Sequence, residues 1–207
     1  MSKIYDVSAP VFPGMAVYKN KPEKQPNFET TSNGKQSGVH ETRVHMDVHT
    51  GTHVDAPLHM LEDGATIDSI PLQRLIGACR VIELLHVNGG IGRADLEPHH
   101  IQAGEFLFLK TKNSFDEAFN PEFTFVAEDG ADYLAALGVA GVAIDGLGIE
   151  RSQPGHPTHK ALFARDVVII EGVRLADVPA GSYQFFALPV RLIGLDASPA
   201  RIVLIED

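Results

Sequence analysis

One segment constrains this chain more than any other: His49-Thr50-Gly51-Thr52-His53-Val54-Asp55-Ala56-Pro57-Leu58-His59. His49 and His53 are four residues apart, a spacing that on a helix would put both imidazoles on one face. A helix is disfavoured by Gly51 between them, by β-branched Thr50, Thr52 and Val54, and by Pro57 at the end. No glutamate follows His49 to serve as the base of a zincin helix. An extended or bent segment instead brings His49, His53, Asp55 and His59 broadly to one side. Burying three imidazoles and a carboxylate without partners is costly, whereas together they form a ligand set for Zn²⁺ or Mn²⁺. The chain must fold around that cluster.

Composition says what surrounds it. The 207 residues are 44% hydrophobic and 21% charged, the mix of a globular domain. A chain of 22.4 kDa should fold to a surface of roughly 9,400 Å², from about 32,000 Å² when open, enough burial for one sizeable core. The formal charge of −10 argues against nucleic acid or an anionic membrane as partner. A single cysteine excludes an intrachain disulfide framework and a cysteine zinc site, so any metal site must be imidazole and carboxylate. No secretory h-region opens the chain and no apolar run approaches membrane-spanning length, so a soluble cytoplasmic protein is expected.

Alternation from Val39 to His49 predicts a strand with Val44, Met46 and Val48 toward the core and Arg43, His45, Asp47 and His49 away from it. Further strands are predicted at Cys79–Leu85, Phe106–Leu109, Val139–Asp145, Val167–Ile170, Tyr183–Leu188 and Ile202–Ile205. Helices are predicted at Ala131–Leu137, closed by Gly138, and at Pro157–Arg165, with a short turn at Arg93–Glu97. The expected fold is α/β with more strand than helix, in one domain spanning residues 1–207.

The His49–His59 segment resembles the signature of the metal-dependent cyclase family, whose members include bacterial kynurenine formamidases (arylformamidases) and isatin hydrolases. The likeness extends in order along the chain. It includes Asp6 with Pro13-Gly14-Met15, Val142-Ala143-Ile144-Asp145, His159-Lys160-Ala161-Leu162, Ile169-Ile170-Glu171-Gly172 and Asp196-Ala197-Ser198-Pro199-Ala200-Arg201. The resemblance implies a swivelling β/β/α fold and a homodimer or larger homo-oligomer. It further implies that His49, His53 and Asp55 hold one divalent metal, with Asp55 bridging to a second where two are bound. His159 and Glu171 complete that second set, and His59 carries the proton. From the residues alone, His159 also reads as a helix-surface residue, and Glu171 equally as a solvent-facing strand end. Arg201 fits a structural salt bridge as well as a substrate contact.

The expected chemistry is hydrolysis of a small amide or formamide, such as N-formylkynurenine or the cyclic amide isatin, with Zn²⁺ ahead of Mn²⁺ as cofactor. The alternatives are a hydrolase or lyase of another small carbonyl compound (a lactone, imide or diketone) and a non-catalytic metal-binding module. Two departures bear on the substrate. Kynurenine formamidases are expected to stack a Trp of the N-terminal loop on the substrate; this chain has no Trp, and its nearest equivalent is Tyr18. After Asp145 a Thr-Pro-Ser-like loop is replaced by Gly146-Leu147-Gly148, which changes a pocket wall.

Overall fold

In the computed structural model, which describes residues 2–206, the β-branched and aromatic runs become strands. In chain order these are β1 (Ile4–Asp6), β2 (Asn27–Ser32), β3 (Glu41–His45), β4 (His53–Asp55), β5 (Ile76–Glu83) and β6 (Gly90–Ile91). They continue with β7 (Phe106–Lys110), β8 (Phe125–Val126), β9 (Gly141–Ile144), β10 (Val168–Glu171), β11 (Gly181–Pro189) and β12 (Ala197–Glu206). Seven of them form a closed barrel in the order β12-β11-β5-β7-β9-β10-β4, with β4 returning to β12. Closure is possible because β12 is ten residues long and serves two neighbours on one edge. Its start pairs with β4 through Ala197, Ser198 and Pro199, and its end pairs with β1 through Val203, Leu204 and Ile205.

The strands β5, β7, β9 and β10 run parallel, and the helices Glu128–Leu137 and Pro157–Phe163 lie in the connections between them. Parallel strands covered on both faces read as continuous apolar runs, and alternation divides their side chains between two cores. Phe106 and Phe108 of β7 join the cluster that fills the barrel with Val54, Ile170 and Phe185. Leu107 and Leu109 pack outward with Leu134 and Leu162 of the helices. The helix Glu128–Leu137 ends at Gly138, whose φ of 76° is the left-handed C′ geometry expected there. The α/β fold with more strand than helix is as the sequence predicted.

One expectation is corrected. The strand predicted over Val39–His49 is only Glu41–His45, and Val44 and Met46 do not face a core; they are 51% and 41% exposed. The alternation is real, but β3 pairs only with β2, in a two-stranded ribbon outside the barrel. Phe28 lies opposite Val44, and Glu29 lies opposite Arg43, so the ribbon has one apolar and one charged face.

Candidate metal centre

On β4, Val54 points into the barrel, so its neighbours His53 and Asp55 point out of it. The antiparallel register of β4 with β10 sets Glu171 opposite His53. Glu171 alternates with Ile170, which faces the barrel, and therefore lies on the same outer side as His53. The helix Pro157–Phe163 covers this side and buries His159. His49 and His59 arrive differently from the extended geometry expected of them: His49 sits in the turn before β4, and His59 closes the short 3₁₀ turn Pro57–His59 after it. All six residues named from the sequence are thus brought together.

The turn and the barrel meet at two glycines. Gly172, just past β10, has φ +72°, and a Cβ there would lie 2.5 Å from the Gly51 carbonyl oxygen. Thr52 locks the contact by donating its hydroxyl to the Gly172 carbonyl at 2.6 Å.

Asp55 is the hub. Its Oδ1 lies 3.0 Å from His49 Nδ1 and 3.2 Å from His53 Nε2, and its Oδ2 lies 3.8 Å from His159 Nε2. Glu171 is 3.4 Å from both His53 Nε2 and His159 Nε2. Among the described residues, His53 Nε2, both Asp55 oxygens and His159 Nε2 are buried polar atoms with no hydrogen-bond partner. Leaving such atoms unpaired costs about 1–3 kcal/mol each, more for the charged ones. The histidine tautomers sharpen the point. His53 Nδ1 donates to the Gly51 carbonyl at 3.0 Å and His159 Nδ1 to Glu150 Oε2 at 2.7 Å, so each neutral ring turns an Nε2 lone pair toward two carboxylates. That arrangement repels unless a cation lies among the four groups, and imidazole with carboxylate is a donor set for a divalent transition metal. His49, Asp55 and His59 form one group able to hold an ion, and His53, Asp55 and Glu171 form another.

Protons are the cations available when no metal is bound. Burial works to lower the pKa of His53 and His159, yet the carboxylates around them prevail and raise both to about 10. Burial also works to raise Glu171, as does the Asp55 charge, but the protonated His159 and His53 rings beside it bring it down to about 2. His59 is the exception: burial lowers its pKa, against the opposing Asp55 charge, so its ring is neutral at neutral pH.

Two residues not singled out from the sequence belong to the site. Glu150 is buried and accepts from His159 Nδ1, fixing that ring. Asp196 lies 2.9 Å from His49 Nε2 and 3.6 Å from His59 Nδ1, tying the two rings to the start of β12. Only the family-like Asp196-Ala197-Ser198 run marked Asp196, and nothing marked Glu150. Arg201 pairs with Asp6 at the surface, the structural salt bridge of the two readings left open. Cys79 is buried.

A cavity of about 290 Å³ opens over the cluster, with Tyr18, His49, His59, His159 and Glu171 in its walls. Tyr18 packs edge-on against Phe119, with ring centroids 5.5 Å apart. Ala16 and Leu147 separate this cavity from an apolar one lined by Phe12, Met15, Phe119 and Phe123. Leu147 belongs to the Gly146-Leu147-Gly148 loop, so that loop does form a pocket wall.

Known proteins resemble this chain along most of its length. The family model described as "Putative cyclase" matches residues 5–151. The kynurenine formamidase of Sphingopyxis alaskensis is 34% identical over 208 residues, covering 100% of this chain and 99% of that protein. The structure of a predicted metal-dependent hydrolase from Bacillus stearothermophilus superposes with a TM-score of 0.92 at 56% identity, over the full length of both chains. Isatin hydrolase A from Labrenzia aggregata, at 21% identity and a TM-score of 0.85, shares the fold over 99% of this chain and 94% of its own. With the family model matching most of its length, and a relative above 30% identity end to end, the chain belongs to the Cyclase family of metal-dependent hydrolase-like proteins.

Proposed function

We propose that this protein is a metal-dependent hydrolase of a small amide or formamide C–N bond. The observation that carries this reading is the convergence of unpartnered buried donors on Asp55, open on one side to a cavity. The full-length relatives named kynurenine formamidase support the bond type. His49, His53 and Asp55 would hold one ion, and Asp55, His159 and Glu171 a second, because the two Asp55 oxygens face different histidines. Imidazole and carboxylate donors without thiolate favour Zn²⁺, with Mn²⁺ as the alternative. When bound, the ion supplies Lewis acidity, making water a usable nucleophile near neutral pH and polarising a carbonyl.

The chain's own residues do the rest. Hydrolysis adds water across the C–N bond, and the departing nitrogen needs a proton because an amide anion is a poor leaving group. His59 is neutral in the resting site, so its ring can take the proton lost by water and return it to that nitrogen. Asp196 near its Nδ1 favours Nε2 as the working atom. Tyr18 offers a ring face to an aryl substrate. The reading also includes a cytoplasmic, homodimeric protein. The dimer is supported by the apolar ribbon face of Phe28, Val44 and Met46, which the described residues leave at least 40% exposed.

The test is turnover of N-formylkynurenine and isatin by protein reconstituted with Zn²⁺ or Mn²⁺, alongside metal content. Asp55→Ala should lose metal and activity together, whereas His59→Ala should keep metal and lose activity. Full activity in His59→Ala would remove its proposed role, and turnover without bound metal would sink the metal reading.

A further inference from the structure

Beside the inner cluster, a second group of donors meets in the wall of the same cavity. Glu150, His156 and His159 each offer one ligand atom, and these atoms all lie within 4.8 Å of one another. Glu150 Oε2 is 2.7 Å from His159 Nδ1 and 3.9 Å from His156 Nδ1. The side chains of Glu150 and His159 are buried, whereas that of His156 is 58% exposed.

The local fold holds the group together. His156 and His159 stand three residues apart at the start of the helix Pro157–Phe163, a spacing that makes them neighbours on its surface. His156 is the residue before the helix, and its side chain makes no capping hydrogen bond. The Gln153 side-chain amide donates to Glu150 Oε1 at 3.0 Å, which leaves Oε2 to face the rings. That oxygen also accepts from the His159 backbone amide at 3.3 Å. On a tetrahedral zinc with bonds of about 2.0–2.1 Å, ligand atoms stand about 3.4 Å apart. The separations of 2.7 and 3.9 Å bracket that spacing, and the exposed His156 ring is free to adjust. Two imidazoles and one glutamate, open to water on the fourth side, are a zinc donor set.

His159 links the two groups. A neutral imidazole has one lone pair and one N–H. While its Nε2 serves the inner cluster, its Nδ1–H goes to Glu150. If Nδ1 holds an outer ion instead, the proton resides on Nε2, which then faces Glu171 Oε1 at 3.4 Å and Asp55 Oδ2 at 3.8 Å as a donor. An inner ion would still keep His53, Asp55 and Glu171, so outer binding adds an ion to the protein. The outer site is the weaker one, because one of its three ligands is exposed and the Nδ1–H contact with Glu150 must be given up.

We propose that Glu150, His156 and His159 Nδ1 form an outer zinc site, filled only at high free zinc, whose occupancy draws His159 from the inner cluster and slows turnover. The site stands on these donors alone; its effect on turnover rests on the hydrolase reading.

The test starts from protein loaded with Zn²⁺ until its tight sites are full, then dialysed against rising buffered free zinc. One further, weaker ion should bind per chain. His156→Gln should raise the zinc concentration needed for it at least about tenfold, since even an outer partner of a ligand is worth that much. His86→Gln, which removes a similarly exposed histidine 3.9 Å from Asp95, should not. In ¹⁵N-histidine NMR spectra the His159 proton should move from Nδ1 to Nε2 as the further ion binds. An ion bound equally well by His156→Gln, or a His159 proton that stays on Nδ1, overturns the site. With whichever of N-formylkynurenine and isatin is hydrolysed, kcat should fall as the further ion binds, and His156→Gln should shift that fall to higher zinc in parallel. Filling of the site with kcat unchanged overturns its control of turnover. If neither compound is hydrolysed, the hydrolase reading fails, while dialysis and the spectra still decide the site.

Discussion

Asp55 is fully buried, and among the described residues neither of its oxygens receives a hydrogen bond, although imidazoles approach both. Such a carboxylate is stable only with positive charge beside it, from protons or from a metal. The choice between them sets a pH dependence. His53 and His159 have folded pKa values of about 10, raised from an unfolded value near 6.5. Their contribution to metal-free stability is therefore fully present below about pH 6.5 and lost as pH rises through about 10. At pH 7.5 both rings hold an extra proton that a metal must displace. Zinc binding should release about two protons, measured by titration calorimetry in buffers of different ionisation enthalpy; release of none would contradict the arrangement. Glu150 acts one step further out, through the 2.7 Å contact with His159 Nδ1. Glu150→Gln should weaken metal affinity about 10–100-fold, read by chelator competition, and should also lower the unfolding midpoint of the metal-free protein, whose protonated His159 loses its carboxylate partner. The sequence made the local cluster legible because its members lie within eleven residues of one another. Glu150 was not legible, since a lone acid nine residues from His159 acquires meaning only when the backbone between them folds back.

At the scale of elements, the site depends on a three-residue strand. β4 is too short to announce itself by alternation, and the predicted strand instead fell on the residues before it. The longer barrel strands were legible, because strands buried on both faces must be apolar throughout: β7 and β10 were placed to within a residue or two. What local sequence could not show was register. The pairing of Glu171 with His53 depends on closure of the whole barrel, and the same closure carries Asp196 to His49 across 147 positions. The Gly51–Gly172 contact fixes that register where it matters. Gly172→Ala would force a left-handed φ on a residue with a Cβ and drive that Cβ into the Gly51 carbonyl. The expected cost is about 2–4 kcal/mol in urea unfolding, accompanied by weaker metal binding because the His49 turn is displaced. An unchanged midpoint would mean that the turn yields without strain.

Across the whole molecule, the accessible surface of 10,513 Å² exceeds the roughly 9,400 Å² expected for a compact chain of this mass. The ribbon of β2 and β3 contributes to that excess: nearly all of its residues are exposed, and an isolated two-stranded ribbon is marginally stable in water. Its charged face is internally satisfied, with Arg43 3.0 Å from Glu29. Its apolar face has Phe28 opposite Val44, with Met46 two residues further on, and each is at least 40% exposed. The alternation from Val39 to His49 therefore marks a ribbon with one apolar face, but the core expected beneath that face is not supplied by the described residues of this chain. A second copy supplies one most simply, since closed two-fold pairs are the commonest homo-oligomers and place the same patch on both sides of the interface. The protein should sediment as a dimer at micromolar concentration. Val44→Lys with Met46→Lys should shift it to monomer, because two buried ammonium groups per protomer cost far more than the lost apolar contact alone. The ribbon joins the 18–24 segment through the contact of Lys24 with Asp47, just beyond β3. Dissociation should therefore also loosen the cavity mouth and raise KM more than it lowers kcat. A monomeric wild type, or a double variant that remains dimeric, would place the cover for this face elsewhere.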